Sequence, residues 1–186
     1  MSIGEMSGEF GVIPDRFRSD PDEYIRMRRK ILWSLPTGLY LLGTHKGESV
    51  HVMTTSWIIQ VATRPKIVAC SIEQGSKTLD FVLESQNLSV SLVSKTDRSV
   101  IRKYVKKDQD VTLHGSDVII EGNQFLLTEL GNPYLASCVG YFEANLVNVE
   151  EFESHAMIFA EIFDCNLAGD PKDVLSNSDT LMNYGG

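Results

Sequence analysis

The amino-acid sequence predicts a mainly β fold with α additions (α+β), formed by a single domain behind a short N-terminal tail. Short apolar stretches rich in β-branched residues recur between turn residues, which is typical of strands. Helical spacing appears in only three segments. The 186 residues can bury one core. Contents of 42% hydrophobic and 23% charged residues are ordinary globular values and argue against a disordered or fibrous chain.

The tail is predicted at residues 1–19, which are rich in Gly, Ser and Glu and have few apolar anchors. The domain is predicted from residue 20 to residue 186, because signals for a helix start appear at residue 20. Asp20 suits the N-cap, Pro21 suits the first turn, and Glu23 occupies the capping-box position.

Two further short helices are predicted, one opening at Ser76-Lys77-Thr78 and one over residues 97–105. In these two helices, the side chains that we predict to face the protein core are Leu79, Val82, Leu83, Ile101, Tyr104 and Val105.

Strands are predicted at residues 39–42, from residue 49, and at 66–72, 87–93, 118–120, 125–127, 135–149 and 155–164. Within 87–93, the apolar residues alternate with Ser89 and Ser91, which predicts a half-buried strand with both serines facing solvent. Residues 108–115 are polar and predict a loop. Many short strands with few helices indicate a β-barrel with α additions.

The charge balance argues against two classes of partner. Lys and Arg total 17 against 25 for Asp and Glu, so the net charge is −8 and the isoelectric point is near 5.0. A binder of duplex nucleic acid needs a basic surface for phosphate contacts, and so does a binder of anionic membranes. The sequence therefore predicts neither a nucleic-acid nor a membrane partner.

The chain is predicted to be cytoplasmic. No apolar run is long enough for a transmembrane helix, and residues 1–15 lack the basic and apolar regions of a secretory signal. Cys70, Cys138 and Cys165 lie in separate apolar runs, which predicts three buried thiols in a reducing compartment.

The sequence contains none of the short motifs of dinucleotide-binding Rossmann enzymes, P-loop NTPases, zincins or α/β-hydrolases. The four histidines show no close ligand spacing, so no metal site is predicted.

Residues 51–60 (HVMTTSWIIQ) place three consecutive hydroxyl side chains before Trp57, with Gln60 in apolar surroundings. Such a strip suits a flat heterocycle with polar edges, because hydroxyl and backbone groups bind the edge while the ring packs on apolar surface. The alternative is a plain strand, since Thr and Ser favour strands and Trp57 would then fill the core.

Ser76-Lys77-Thr78 supplies two hydroxyls and one ammonium at a predicted helix start, where free N–H groups favour a phosphate. The alternative is an ordinary helix cap with Lys77 in water. His155 follows an acidic run and opens an apolar strand, where it either contacts a substrate or caps a turn.

Residues 35–40 (LPTGLY) and 53–61 (MTTSWIIQV) resemble the flavin reductase-like family of FMN-binding split-barrel proteins. The resemblance continues through the Ser76-Lys77-Thr78 segment, residues 88–92 (LSVSL) and the strand that opens at His155 (HAMIF). It extends from about residue 30 to residue 165 with the motifs in the same order.

This resemblance implies a split β-barrel that binds FMN, or in some members FAD, near a homodimer interface. It implies hydride transfer from NAD(P)H to flavin N5, after which reduced flavin passes to a partner oxygenase, a redox protein or another acceptor. In this chain His155 would be the catalytic residue on the nicotinamide side. The cofactor-binding residues would be His51, Met53, Thr54, Thr55, Ser56, Trp57, Gln60, Ser76, Lys77 and Thr78.

The resemblance also implies which part of the flavin each of these residues would contact. Trp57 and Gln60 would line the flavin ring or the ribityl chain, and Ser76, Lys77 and Thr78 would hold the phosphate. Two of the departures from the family pattern lie at or beside predicted site residues. His51 replaces a frequent Gly or Asn, and Glu153-Ser154 replaces a Gly-Asp pair before His155.

Three alternatives to the reductase stay open. One is a non-catalytic FMN electron carrier that exchanges electrons with a protein partner. Another is an interaction module of the same fold without flavin. The third is the same pocket holding haem or a deazaflavin, which are also flat cofactors.

Overall fold

The computed structural model describes residues 12–105, 108–114 and 117–180. These residues belong to two compact units, one ending at Pro36 and one beginning at Thr37. Residues 1–11, most of the predicted tail, lie outside the described part of the chain.

The first unit contains a 3-10 helix at Asp15–Phe17 and the helix α1 at Pro21–Trp33. The predicted helix start is confirmed, because Asp20 Oδ1 accepts a hydrogen bond of 2.9 Å from the Glu23 backbone N–H. The rings of Phe17 and Tyr24 lie 5.2 Å apart. This contact joins the 3-10 helix to the first turns of α1.

The second unit carries the sheets. In chain order, its strands and main helix are β1 (Tyr40–Lys46), β2 (Ser49–Thr55), β3 (Ile58–Thr63), β4 (Lys66–Glu73), α2 (Lys77–Ser85), β5 (Asn87–Leu92), β6 (Val111–His114), β7 (Asp117–Ile120), β8 (Asn123–Leu127), β9 (Pro133–Leu135), β10 (Gly140–Glu151) and β11 (His155–Leu167). Short 3-10 helices cover Lys95–Asp97, Val100–Val105, Pro171–Asp173 and Asn177–Asp179.

A seven-stranded antiparallel sheet has the order β2-β1-β5-β10-β11-β4-β3, and a four-stranded sheet has the order β6-β7-β8-β9. The two ends of the large sheet, β2 and β3, are consecutive in the chain. All seven strands contribute to one buried cluster, which includes or contacts Leu42, Met53, Ile58, Ile72, Val90, Ala144 and Ile158. The large sheet therefore curls around a single core, and the predicted mainly β fold with α additions is confirmed.

The prediction that Ser89 and Ser91 face solvent is wrong, because both are fully buried at 0% and 1% exposure. The four-stranded sheet covers this face: Ser89 Oγ donates to the Pro133 carbonyl at 2.8 Å, and the Leu135 N–H donates to Ser91 Oγ at 3.0 Å. The contact needs Gly43, where a Cβ atom would lie 1.9 Å from the Pro133 carbonyl oxygen. Both faces of β5 are therefore internal.

Two inward-facing side chains were wrongly predicted. Leu83 of α2 is 40% exposed, and Phe81 is buried where Leu83 was expected. The reason is that the buried face of α2 consists of Thr78, Leu79, Phe81 and Val82. Val105 is 54% exposed, because residues 97–105 do not form one helix. They form part of two 3-10 helices separated by a turn, and the tighter winding turns Val105 outward.

Two predicted segments have different boundaries in the structure. The predicted loop 108–115 contains β6, which pairs with β7 despite its polar sequence. The predicted strand 135–149 is divided into β9 and β10 by a turn in which the Cys138 N–H donates to the Leu135 carbonyl at 3.1 Å. A turn of this kind carries the chain from the small sheet into the large one.

The prediction of three buried thiols is correct for Cys70 and Cys138 and wrong for Cys165, which is exposed. The pairing of β11 with β4 ends at Glu161, so the end of β11 extends beyond its neighbour. Cys165 lies in this uncovered part of the strand.

A buried polar network joins β10 to the β8–β9 turn and to the start of β5. Glu143 is fully buried, and its Oε1 accepts hydrogen bonds from Thr128 Oγ1 and, at 2.8 Å, from Asn132 Nδ2. Asn132 Nδ2 also donates to Asn87 Oδ1 at 2.6 Å. The Asn132 side chain is thus shared by three elements.

We expect Asn132→Ala to lower the free energy of unfolding by about 3 kcal/mol, since it leaves buried oxygens of Glu143 and Asn87 without their donor. Urea denaturation measures this loss. Asn145→Ala on exposed β10 surface is the matched control and should change stability little. Equal effects of the two substitutions would contradict the role of the network.

Candidate functional site

The connection between β2 and β3 holds an aromatic side chain at the surface of the second unit. The Trp57 N–H donates to Thr55 Oγ1 at 3.2 Å, and the Trp57 carbonyl accepts from the Ser71 N–H of β4 at 3.1 Å. Ser56 is buried, whereas the Trp57 side chain is 40% exposed. The backbone of Trp57 is therefore fixed by two hydrogen bonds, while part of its indole is exposed to solvent.

His155 lies beside this indole. It pairs with Glu73 at the end of β4, and its ring centroid is 5.1 Å from that of Trp57 with an interplanar angle of 55°. The next pair along these two strands, Ala156 and Ile72, belongs to the core cluster. Because side chains alternate along a strand, His155 projects from the face opposite the core.

The turn after β4 leads into the N-terminus of α2 next to this histidine. The Gln74 N–H donates to the Ser154 carbonyl at 3.0 Å, which ties the turn to the residue before His155. Gly75 then adopts a φ of +69°, a conformation that side chains other than glycine rarely accept. Three segments that are distant in sequence thus meet: residues 55–57, 74–78 and 154–155.

The first turn of α2 is open to an anion. Ser76 caps the helix: its Oγ accepts from the Leu79 N–H at 3.2 Å, and its carbonyl accepts from the Asp80 N–H at 3.2 Å. Within the described residues, the N–H groups of Lys77 and Thr78 have no hydrogen-bond partner. The Thr78 side chain is buried, so its accessible donor is the backbone. Free N–H groups at the positive end of a helix dipole favour a phosphate.

His51 and Lys77 flank the ring of Phe81. The His51 ring centroid is 6.1 Å from that of Phe81, and Lys77 Nζ lies 5.3 Å from the same ring. Burial, and secondarily the Lys77 ammonium, lowers the pKa of His51 from 6.5 to about 4. Its Nδ1 is buried without a partner in the described part of the chain. The imidazole is therefore neutral at neutral pH and adds no second charge beside Lys77.

Strand alternation divides the predicted binding strip between two faces. His51, Met53 and Thr55 pair with Thr44, Leu42 and Tyr40, respectively. Met53 packs on the core that α2 covers. Thr54 points the other way, and its hydroxyl donates to the Ile101 carbonyl. Thr54 can therefore offer a ligand only its backbone.

Gln60 lies farther along, in exposed β3, where Nε2 donates to the Ala62 carbonyl at 3.0 Å. The structure thus brings Trp57 and His155 into contact, and it places the turn before Ser76, Lys77 and Thr78 against Ser154. The side chains of Thr54 and Gln60 form internal hydrogen bonds instead.

Phe81 and Ser154 were not predicted as site residues. Phe81 contacts both His51 and Lys77, and its position four residues after Lys77 on a helix is the signal that predicts such a contact. Ser154 Oγ lies 2.9 Å from His155 Nδ1. Its side chain is small and adjacent to the histidine in sequence, so no pattern singles it out.

Among residues 12–105, 108–114 and 117–180, no helix is long and apolar enough to cross a membrane. The same residues contain no group of three or more His, Cys, Asp or Glu side chains placed to hold a metal ion.

Comparison with known proteins identifies relatives over most of the chain. The high molecular weight rubredoxin of Moorella thermoacetica is 25% identical over 150 residues, which are 78% of this chain and 63% of that protein. The chain thus spans somewhat less than two thirds of this relative's length.

Two solved structures are also similar. The flavin reductase of styrene monooxygenase from Pseudomonas putida has a TM-score of 0.63 at 19% identity, covering 75% of this chain and 85% of that one. The NADH:FAD oxidoreductase of Streptomyces globisporus has a TM-score of 0.62 at 16% identity, covering 80% and 86%. At these identities the likeness concerns the fold.

The family assignment rests on the sequence match. The pattern of the flavin reductase like domain matches residues 32–185. This range includes all of the second unit's strands and every residue of the candidate site. The chain therefore belongs to the flavin reductase like domain family.

Proposed function

We propose that this protein is an NAD(P)H-dependent flavin reductase that binds FMN through Trp57, the first turn of α2 and the end of β2. The observation that carries the proposal is the meeting of an exposed indole, a histidine and an open helix N-terminus in one region. Family membership supports flavin reduction, and the similarity to the Streptomyces protein, an NADH:FAD oxidoreductase by name, supports a nicotinamide donor.

The residues present fit a flavin nucleotide. The free N–H groups of Lys77 and Thr78 and the Lys77 ammonium suit the phosphate that FMN and FAD share. The half-exposed indole of Trp57, with the Ser56 backbone beside it, suits the edge of a flat ring system. His51, Met53 and Thr55 would support this region from the α2 side.

When bound, the flavin would supply the hydride acceptor, its N5 atom. The protein's own contribution is to hold the nicotinamide against that atom in a productive orientation. His155 is the side chain suited to this role, because it projects beside Trp57 and has hydrogen-bonding nitrogens near the end of β4.

We further propose that the protein acts as a homodimer and passes reduced flavin to a partner oxygenase or redox protein. On β3, an edge strand of the large sheet, Ile59 and Val61 are 66% and 49% exposed. Apolar side chains on an unpaired edge favour association. The similarity to the Pseudomonas protein, which is named as the flavin reductase of a styrene monooxygenase, supports an oxygenase as the acceptor. We propose that the protein acts in the cytoplasm.

A visible absorption spectrum tests the proposal. We expect the purified protein, supplied with FMN and freed of the excess, to show flavin bands that bleach under anaerobic NADH or NADPH. The same titration run with each nucleotide separately establishes which donor it uses. A protein that never retains flavin would overturn the proposed function.

The second candidate is an FMN electron carrier, which the similarity to a protein named as a rubredoxin favours. In that case, the flavin bands would bleach with dithionite or a reduced redox protein and would persist with either nicotinamide nucleotide.

A further inference from the structure

The backbones of Trp57 and His155 are bound to the two opposite edges of strand β4. The Trp57 carbonyl accepts from Ser71 of β4, and His155 pairs with Glu73, two residues farther along the same strand. The Phe152 N–H donates to the His155 carbonyl at 2.8 Å, which closes the turn before β11. Because both backbones are anchored to β4, the ring contact of 5.1 Å is a consequence of the sheet register.

The imidazole is restrained at a second point. Ser154 Oγ lies 2.9 Å from His155 Nδ1, so one ring nitrogen is occupied. Within the described residues, Nε2 has no hydrogen-bond partner and no carboxylate forms an ion pair with the ring. The carboxylates nearest in the strand pattern are Glu73, opposite His155, and Glu153, two residues before it. The indole and the serine thus leave Nε2 as the open nitrogen.

We propose that Trp57 and Ser154 are positioning residues for His155, holding its ring so that Nε2 is the atom offered to the nicotinamide. This inference rests on the proposed function for its ligand, and on the geometry for the restraint itself. It gives Trp57 a contact with the histidine in addition to the contact with the flavin or the ribityl chain that the family resemblance implies.

The serine hydroxyl leaves either ring nitrogen of His155 able to carry the proton. A hydroxyl both donates and accepts, so Nδ1 can exist with or without its proton and Nε2 can serve as a donor or an acceptor. Ser154→Ala removes this hydroxyl and Ser154→Thr retains it, so the two substitutions together separate a positioning role from simple packing.

Trp57 fluorescence tests the restraint in flavin-free protein, without reference to catalysis. The chain contains two tryptophans, so Trp33→Phe leaves Trp57 as the only emitter. In this background we expect His155→Asn to change the intensity of Trp57 emission, because it removes the ring that contacts the indole. Ser154→Ala should change the emission in the same direction, because the imidazole loses its second restraint. Ser154→Thr keeps a hydroxyl at this position and is the matched control, which should leave the emission unchanged.

Kinetics test the consequence. With FMN bound, Ser154→Ala should raise the KM for the nicotinamide nucleotide about tenfold. FMN affinity should be unchanged, because Ser154 does not belong to the proposed flavin site, and Ser154→Thr, which keeps the hydroxyl, should retain most of the wild-type KM. A fall in FMN affinity with Ser154→Ala, or Trp57 emission that is the same with and without Ser154→Ala, overturns the proposal. Failure of the proposed function has a different signature, because a protein without reductase activity would still show these changes in Trp57 emission.

Discussion

Lys77→Glu is expected to weaken FMN binding about 100-fold, equivalent to about 3 kcal/mol, and to leave riboflavin binding unchanged. The substitution removes one charge-assisted contact to the phosphate and places a like charge at the open first turn of α2. Riboflavin has the same ring and ribityl chain without the phosphate. Flavin fluorescence titrations with the two ligands measure the difference directly.

Lys66→Glu is the matched control, because Lys66 is also exposed and lies at the opposite end of β4. It makes the same change in net charge away from the candidate site, so FMN affinity should be retained. If Lys77→Glu weakened FMN and riboflavin equally, the first turn of α2 would not be the phosphate site.

His51 should make the protein sensitive to acid. Its pKa falls from 6.5 to about 4 in the folded protein, so the unfolded chain binds more protons between these values. Stability therefore rises with pH across this window and is lost as the pH falls from 6.5 toward 4. The contribution of this one group reaches about 3 kcal/mol at the acidic limit.

The comparison with His51→Asn isolates this effect, because an amide does not titrate and every other group is shared. The free energy of unfolding, measured by urea denaturation at successive pH values, should decline more steeply below pH 6.5 for the wild-type protein. Parallel curves for the two proteins would show that His51 is not held in its neutral form.

Several elements of the fold followed from local sequence patterns. Asp20 and Ser76 cap the helices that they were predicted to cap, and the strand opening at His155 begins there. These signals are local, since a cap or an alternation depends on residues a few positions apart. The family resemblance, confirmed by the match over residues 32–185, was likewise carried by the order of short motifs.

The errors share a different cause. Ser89 and Ser91 were predicted to face solvent because their strand alternates, yet the four-stranded sheet covers that face. Cys165 was predicted to be buried because its segment is apolar, yet its strand extends past β4. In both cases burial depends on an element that is remote in sequence.

The candidate site divides in the same way. The sequence alone determined which chemical groups were available: the hydroxyl strip before Trp57, the capped helix start at Ser76 and a histidine opening a strand. Only the tertiary structure decided that Trp57 contacts His155. It also decided that the Thr54 hydroxyl donates to the Ile101 carbonyl, and that His51 is buried beside Lys77. The physical reason is that strand register and sheet packing, which no local pattern specifies, decide the neighbours and the solvation of each side chain.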